Sequence, residues 1–104
     1  MDLILEIEKI DDDNNGIYLY VKDEVYNTSI HLQGIPVILD INENGDVFGI
    51  EIIDSKNIPT YEKIQEKAIE SKDFHRLWRY GYHLQKGLDK CKELPIIGRY
   101  SIKI

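Results

Sequence analysis

The segment DINENGDVFGIE, which starts at Asp40 and ends at Glu51, has oxygen-bearing side chains at the spacing of a calcium-binding loop. Asp40, Asn42 and Asn44 stand at alternate positions, and Gly45 follows where such a loop turns sharply. Glu51 stands at the twelfth place, where an EF-hand has its bidentate carboxylate. The same residues would also suit two β-strands joined by a tight Asn-Gly turn, with no metal.

The flanks of this segment favour the hairpin. An EF-hand loop needs a helix on each side, because the helices position the ligands. Gly34 and Pro36 lie just upstream and Pro59 lies downstream, so both flanks are predicted to be extended. Phe48 and Gly49 also stand where a calcium loop usually offers polar groups. We therefore predict a hairpin without a metal or any other cofactor.

A two-residue type I′ turn at Asn44-Gly45, which pairs Glu43 with Asp46, would sort this hairpin into two faces. Three apolar pairs fall on one buried face: Ile41 with Phe48, Leu39 with Ile50 and Val37 with Ile52. Four residues fall on the wetter face: Asp40, Asn42, Val47 and Glu51. Two carboxylates on one face would suit glycosidase-like chemistry. No cleft-forming loops surround them in the sequence, so we interpret them as polar surface residues.

Two further sets of residues were considered for catalysis. His75 and His83 share a predicted helix with Arg76 and Arg79, as an acid–base pair in an RNase would require. Eight residues place the two histidines about two turns apart, which is too far for a shared proton relay. Cys91 is the single cysteine and lies on an apolar stripe, so it is predicted to be a small buried hydrophobe. We predict that the protein is not an enzyme.

The first half of the chain predicts an antiparallel sheet. Apolar residues alternate with polar ones in three segments ahead of the hairpin, at 3–10, 17–21 and 28–33. In the second segment, Tyr18 and Tyr20 face away from the aliphatic residues, and the sequence leaves open whether that face is exposed or covered. With the two arms of the hairpin, residues 1–54 provide about five strands.

The second half changes to a helical period. Tyr61, Ile64 and Ala68 form one stripe, with Thr60 or Asn57 as its N-cap. A second stripe follows at three- and four-residue steps: Phe74, Leu77, Trp78, Gly81, Leu84, Leu88 and Cys91. Ser71 or Asp73 would cap a second helix, and whether 60–92 forms one helix or two stays open. Gly81 and Gly87 favour close packing on the sheet.

Residues 97–104 complete the predicted fold. Pro95 ends the helical segment of 57–94, and alternating Tyr100, Ile102 and Ile104 predict a last strand. The chain of 104 residues is therefore predicted to be one α+β domain. Its antiparallel sheet has about five N-terminal strands plus a C-terminal strand, and one or two helices pack on one face.

The charge is unevenly distributed along the chain. Residues 1–54 contain 13 acidic residues and two lysines, a net charge of −11, whereas residues 55–104 carry +5 and the whole chain −6. An acidic half attracts basic proteins and repels nucleic-acid backbones. The sequence has neither a basic leader nor a long apolar run, and its single cysteine suits a reducing compartment. We expect a cytoplasmic protein that does not enter a membrane.

The strand GIYLYV and the hairpin VILDINENGDVFGIEII resemble a family of short bacterial proteins known only as a domain of unknown function. The family pattern is Ile-Leu-Asp-x-Asn/Asp-x-x-Gly-x-Val-x-Gly-Ile-Glu-Ile, and the resemblance covers about Gly16–Asp54. Six residues carry it: Tyr18, Asp40, Gly45, Gly49, Ile50 and Glu51. The family usually has Asp-Ala where this chain has Asn15-Gly16. The resemblance implies a small bacterial or phage sheet module, sometimes encoded beside toxin-like genes, with no established chemistry.

These observations favour a non-catalytic protein-binding module of the immunity or antitoxin type. Its acidic surface would block a basic partner such as a nuclease toxin. The predicted partner-binding residues are Asp11, Asp12, Asp13, Tyr18, Tyr20, Asp23, Glu24, Asp40 and Glu51. The alternative is a nucleic-acid-binding module that uses the basic helix 72–92. A homodimer, and an accessory module without a dedicated partner, remain open.

Overall fold

The computed structural model describes residues 3–10, 16–54, 56–72, 78–94 and 98–103. Within these ranges the chain forms a sheet and two helices, which confirms the predicted α+β class and the C-terminal strand. The elements in chain order are β1 Ile4–Ile10, β2 Gly16–Val21, β3 Tyr26–His31, β4 Val37–Asn42, β5 Val47–Ile52, α1 Tyr61–Lys72, α2 Gly81–Glu93 and β6 Gly98–Lys103. Neither of the described helices combines the length and the apolar character that crossing a membrane requires.

The six strands form one antiparallel sheet in the order β3-β4-β5-β2-β1-β6. The N-terminal strand β1 lies between β2 and β6, so the two ends of the described chain are neighbours in the sheet. Strands β3 and β6 form the two edges.

One face of the sheet carries the hydrophobic core, and we call it the covered face. Alternate residues of β1 and β2, such as Leu5, Ile7 and Leu19, are buried there. The helices supply five buried side chains to the same core: Ile64, Ala68, Leu84, Leu88 and Cys91. Burial of each large aliphatic side chain contributes about 1.5–3 kcal/mol. The predicted helical cover on one face is confirmed.

In the described parts of the helical segment, 56–72 and 78–94, the chain forms two helices. The Thr60 hydroxyl accepts a hydrogen bond from the Lys63 N–H at 3.1 Å, so Thr60 is the N-cap of α1. The prediction of Ser71 as the second cap is wrong, because Ser71 lies inside α1 and α2 begins only at Gly81. The other predicted cap, Asp73, lies outside the described residues, as do Phe74 and Leu77 of the predicted stripe.

The two helix glycines both permit close packing, but against different partners. A Cβ at Gly87 would lie 2.5 Å from the Leu19 Cδ1, so α2 sits close on the sheet as predicted. A Cβ at Gly81 would instead collide with the Tyr61 hydroxyl of α1. Gly81 therefore serves contact between the helices, and the prediction that it packs on the sheet is wrong.

The β4–β5 hairpin is confirmed, and its strand flanks exclude the paired helices of an EF-hand. Its turn differs from the predicted type I′ form. Gly45 has a φ of +84°, whereas Asn44 is not in the positive-φ region that a type I′ turn requires. The Gly45 N–H donates to the Asn42 carbonyl at 3.0 Å, and the Asn42 N–H donates to the Asp46 carbonyl at 2.9 Å. The loop therefore has three residues and ends in a left-handed glycine.

The side chain of Asn42 explains this longer turn. Its amide oxygen accepts hydrogen bonds from the N–H groups of Asn44 and Asp46, at 3.0 and 2.8 Å. This local bonding competes with the tighter turn. Asn42 is consequently fully buried rather than on a wet face as predicted.

A β-bulge near the turn makes the pairing of the hairpin differ from the predicted register. Val37 with Ile52 and Leu39 with Ile50 are opposite each other as predicted, and Asp40 is opposite Gly49. Beyond them the register shifts, and Ile41 lies opposite Val47 instead of Phe48. Both Val47 and Phe48 are buried, so the prediction that Val47 is on the wetter face is also wrong.

Candidate protein-binding face

The second face of the sheet carries polar and aromatic side chains, and we call it the outer face. Strand registers align these residues in two rows that cross the sheet. The first row is His31, Ile38, Glu51, Tyr18, Glu8 and Arg99. The second row is Ser29, Asp40, Gly49, Tyr20, Glu6 and Ser101. The predicted partner-binding residues Tyr18, Tyr20, Asp40 and Glu51 are thus brought together.

Hydrogen bonds link three outer-face side chains on β3 and β4. The Tyr26 and Ser29 hydroxyls are 2.8 Å apart, and the Ser29 hydroxyl donates to the Asp40 Oδ1 at 3.0 Å. The Asp40 carboxyl lies close to the Glu51 carboxyl, and Glu51 in turn lies opposite Tyr18 of β2.

Gly49 makes room for this carboxyl pair. It lies opposite Asp40 in the hairpin, and a Cβ there would be 3.1 Å from the Asp40 Oδ2 and 3.2 Å from the Tyr20 Cβ. A side chain at this position would crowd the Asp40 carboxyl. The missing side chain leaves room for Asp40 beside its diagonal neighbour Glu51.

The environment of Asp40 favours its protonated form. Burial raises the pKa of Asp40 to about 7, the hydrogen bond and charge of Glu51 act in the same direction, and the Ser29 hydroxyl opposes them. The hydrogen bond to Glu51, with the Glu51 charge, raises the pKa of the Tyr18 phenol. Asp40 therefore gains its negative charge near neutral pH and can bind or release a proton there.

The outer face also contains two glutamates that the sequence patterns did not single out. Glu8 forms an ion pair with Arg99 at 3.4 Å, and Glu6 accepts a hydrogen bond from the Ser101 hydroxyl at 2.8 Å. The period-two pattern of β1 could have placed them on this face, because Glu6 and Glu8 alternate with the buried Leu5 and Ile7. Positions of that parity necessarily share a face with Tyr18 and Tyr20 once β1 pairs with β2.

Exposure distinguishes the two predicted tyrosines. Tyr18 is 40% exposed, so no described element covers the outer face at that point. Tyr20 is partly buried and packs against the edge of the core. The outer face is therefore exposed at Tyr18, whereas the side chain of Tyr20 also contributes to packing against the core.

The remaining predicted partner-binding residues lie elsewhere. Asp23 is exposed in the turn between β2 and β3, where its φ is +70°. Glu24 accepts a hydrogen bond from the Tyr80 hydroxyl, and burial together with this contact raises the pKa of Tyr80 to about 12. Glu24 thus ties the segment before α2 to the end of the sheet and is not a free docking group. Residues 11–13, the predicted Asp11, Asp12 and Asp13, lie outside the described residues.

Cys91 and Lys9 meet at the C-terminal end of α2. Cys91 is fully buried, as predicted, and burial raises the pKa of its thiol to about 11 although Lys9 lowers it. The Lys9 ammonium donates to the carbonyls of Cys91 at 2.8 Å and Leu94 at 3.2 Å. A thiol in this state is a poor nucleophile.

The basic helix does not present a uniformly basic surface. A groove of about 400 Å³ between α2 and β6 is lined by both signs of charge: Tyr82, Lys86, Asp89, Lys90, Glu93, Ile102 and Lys103. Lys90 pairs with Glu93 at 3.5 Å, while Lys86 lies 5.4 Å from the Tyr82 ring centroid. His75 and Arg76 lie outside the described residues. Among the described residues no group of three His, Cys, Asp or Glu side chains is placed to hold a metal ion.

Comparison with known proteins finds a similarity that extends over part of the chain. Over 47 residues the chain is 43% identical to a Methanosarcina mazei protein named "Putative hypoxanthine phosphoribosyltransferase". The match covers 45% of this chain and 37% of that protein, so the chain matches well under half the length of this relative. No protein-family model matches the sequence, and no solved structure matches it.

Proposed function

We propose that this protein is a non-catalytic inhibitor of the immunity or antitoxin type, which docks its outer face on a basic protein. The observation that carries the proposal is the outer face itself. There an exposed tyrosine, Tyr18, lies between the carboxylates of Glu8 and Glu51 on a sheet surface that the described helices leave open.

This combination suits a protein interface for two physical reasons. Carboxylates at the rim steer a basic partner toward the sheet and accelerate association. Tyrosine is enriched among residues that dominate binding energy, because its ring buries a large area at a small entropic cost. Tyr18 and Tyr26 are both exposed; Tyr26 is hydrogen-bonded to Ser29, and Tyr18 lies opposite Glu51.

A nuclease toxin is the partner class that this chemistry favours. A nuclease binds phosphates with a cluster of lysines and arginines, and a surface of spaced carboxylates competes for the same cluster. The resemblance of the β2 strand and the β4–β5 hairpin to bacterial proteins encoded near toxin-like genes points in the same direction.

The test is a capture experiment with matched charge changes. The wild-type protein and two variants are used as bait in a lysate of the native host. One variant reverses outer-face charges, Glu6→Lys with Glu8→Lys. The control variant makes the same change in charge on exposed α1 residues, Glu62→Lys with Glu66→Lys. Captured proteins are identified, purified and assayed for nuclease activity with and without the inhibitor.

We expect a basic nuclease that the wild-type and control proteins bind and inhibit. The outer-face variant should associate more slowly and show a weaker dependence of the association rate on salt. Equal binding by both variants would contradict the assignment of the outer face. A captured partner that is acidic, or that shows no nuclease activity, would contradict the proposed inhibitor class.

The Lys86 and Tyr82 pair supports a second candidate, a single-stranded nucleic-acid-binding module, because aromatic rings and cations together bind stacked bases and phosphates. A gel-shift titration at low salt tests it. RNA or DNA binding that is lost in Lys86→Glu and kept in the outer-face variant would favour this candidate over the inhibitor.

A further inference from the structure

The two edges of the sheet differ in charge. Edge strand β6 carries Arg99 and Lys103, and charged residues on an edge oppose pairing with another strand. Edge strand β3 has the sequence YNTSIH, which contains no Asp, Glu, Lys or Arg, in a chain of net charge −6. Val25 and Tyr26, at the start of this edge, are 56% and 58% exposed. The β3 edge is therefore open, neutral and partly apolar.

The backbone of β3 offers hydrogen-bonding groups to a further strand. The Leu32 N–H donates to the Val37 carbonyl at 3.0 Å, so Leu32 points its backbone groups toward β4. Backbone direction alternates along an antiparallel strand, and Ile30 therefore points toward β4 as well. Ser29 and His31 have the opposite parity and point their N–H and C=O groups away from β4.

We propose that a second copy of this chain pairs with the β3 edge, antiparallel, about a twofold axis at Ile30. In this register Ser29 lies opposite His31 of the second copy, and His31 lies opposite its Ser29. Each of these two pairs exchanges two N–H···O bonds, which gives four hydrogen bonds in all. The two Ile30 side chains face each other across the axis on the covered side.

A second copy fits this edge better than an arbitrary strand because the edge is self-complementary. The two copies repel each other through their net charge of −6, and a neutral strand places no like charges directly opposite each other where they meet. The bulge between Tyr26 and Thr28 limits regular pairing to Thr28–His31. A contact of this length is small, so we expect a dissociation constant in the micromolar to millimolar range.

This inference is independent of the proposed function. Pairing at β3 joins two six-stranded sheets edge to edge, and it leaves the outer face of each copy open. A dimer would thus present two docking faces side by side, with the Tyr26 side chains near the junction.

The experiment combines sedimentation with amide hydrogen exchange on the full chain. Analytical ultracentrifugation from micromolar to millimolar concentration gives the oligomeric state. Two variants are compared, His31→Pro, which removes the outward N–H, and His31→Gln, which keeps it. Circular dichroism and thermal unfolding check that both variants are folded. Hydrogen exchange of the wild type is followed by NMR at low and high concentration.

We expect dimers in the wild type and in His31→Gln, and at least a tenfold weaker association in His31→Pro. The amides of Ser29 and His31 should exchange more slowly at high concentration, whereas the Ile30 amide should be protected at both concentrations. A wild type that stays monomeric up to millimolar concentration overturns the proposal. A dimer that His31→Pro leaves unchanged, or protection that does not depend on concentration, overturns it too. If His31→Pro fails to fold, the exchange data on the wild type decide alone.

Discussion

In the described strands, the covered face and the outer face of the sheet each contain one buried ionisable side chain, and the two are satisfied in different ways. On the covered face, Lys9 donates to carbonyls of Cys91 and Leu94 at the end of α2. A cation is favoured there because unpaired carbonyls and the helix dipole give that end a negative potential. On the outer face, Asp40 lies beside another carboxyl, Glu51, and burial together with this neighbour raises its pKa to about 7.

The difference shows that burial alone does not decide the charge state of a group. Lys9 and Asp40 are each about 9% exposed. Lys9 has two acceptors and becomes part of the structure that joins β1 to α2. Asp40 has one donor in Ser29 and one acidic neighbour, so its charge depends on pH. The covered face is consequently expected to set stability, and the outer face is expected to respond to solvent and partners.

Substitutions of two neighbouring residues of β2 are expected to show the largest difference in stability between the two faces. Leu19 is buried against α2, and Leu19→Ala should lower the free energy of unfolding by about 2–5 kcal/mol through lost burial and a cavity. Tyr18 lies on the outer face, and Tyr18→Ala should cost about 1 kcal/mol or less, as expected for a substitution away from the core. Urea titrations of both variants measure the costs. Similar costs for the two would contradict the separation of roles between the faces.

The pH dependence of stability gives the next test, and Asp40→Asn is the variant. The folded-state pKa of Asp40, about 7, lies above its unfolded value near 4, so the folded state binds more protons between these pH values. Stability from this group is therefore complete below about pH 4 and is lost as pH rises through 7. We expect Asp40 to account for a loss of about 1–3 kcal/mol over this window, with a slope from this one group of at most about 1.4 kcal/mol per pH unit.

Asparagine cannot ionise and can still donate to Glu51 and accept from Ser29, so Asp40→Asn should show a flatter pH profile. Chemical denaturation at several pH values between about 5 and 8 measures both profiles. Asp54 is a suitable control, since a hydrogen bond from Asn57 lowers its pKa and Asp54→Asn should leave the slope in this window unchanged. An unchanged slope in Asp40→Asn would contradict the raised pKa of Asp40.

The period-two pattern predicted the faces because each β-strand residue has only two sides to choose from. It placed Leu5, Ile7 and Leu19 in the core and Tyr18 opposite them. The pattern could not predict the three-residue turn or the bulge after Asp40. Both arise from hydrogen bonds that the Asn42 side chain makes with its own turn, and spacing does not reveal these bonds.

The contacts within the candidate site were harder to predict than the fold, because they also depend on side-chain interactions that residue spacing does not reveal. Asp40 and Glu51 were placed on one face, yet their contact depends on the missing side chain at Gly49 and on the Ser29 hydroxyl from β3. The pairing of β3 with β4 is not encoded in local periodicity. Glu24, which was predicted to bind a partner, is instead bonded to Tyr80, 56 residues later in the sequence.

Substitution of Lys9 is expected to give the smallest change in the free energy of unfolding. It tests how the covered face accommodates a buried charge. Lys9→Met keeps the volume and removes the hydrogen bonds to the Cys91 and Leu94 carbonyls. We expect a loss of about 1 kcal/mol, at the low end for unpaired buried groups, because Leu94 is half-exposed and water can reach its carbonyl. The matched control is Lys22→Met, which changes an exposed lysine of the same half and should be neutral.

Amide hydrogen exchange distinguishes the loss of the Lys9 hydrogen bonds at the end of α2 from a change in side-chain packing. Loss of the cation should loosen the last turn of α2, so the Leu94 amide, which donates to the Lys90 carbonyl at 3.2 Å, should exchange faster in Lys9→Met. Amides in the middle of α2, such as that of Leu88, should change less. An increase in stability, with Leu94 exchange unaltered, would show that the lysine is a net cost to the covered face and that methionine packs better there.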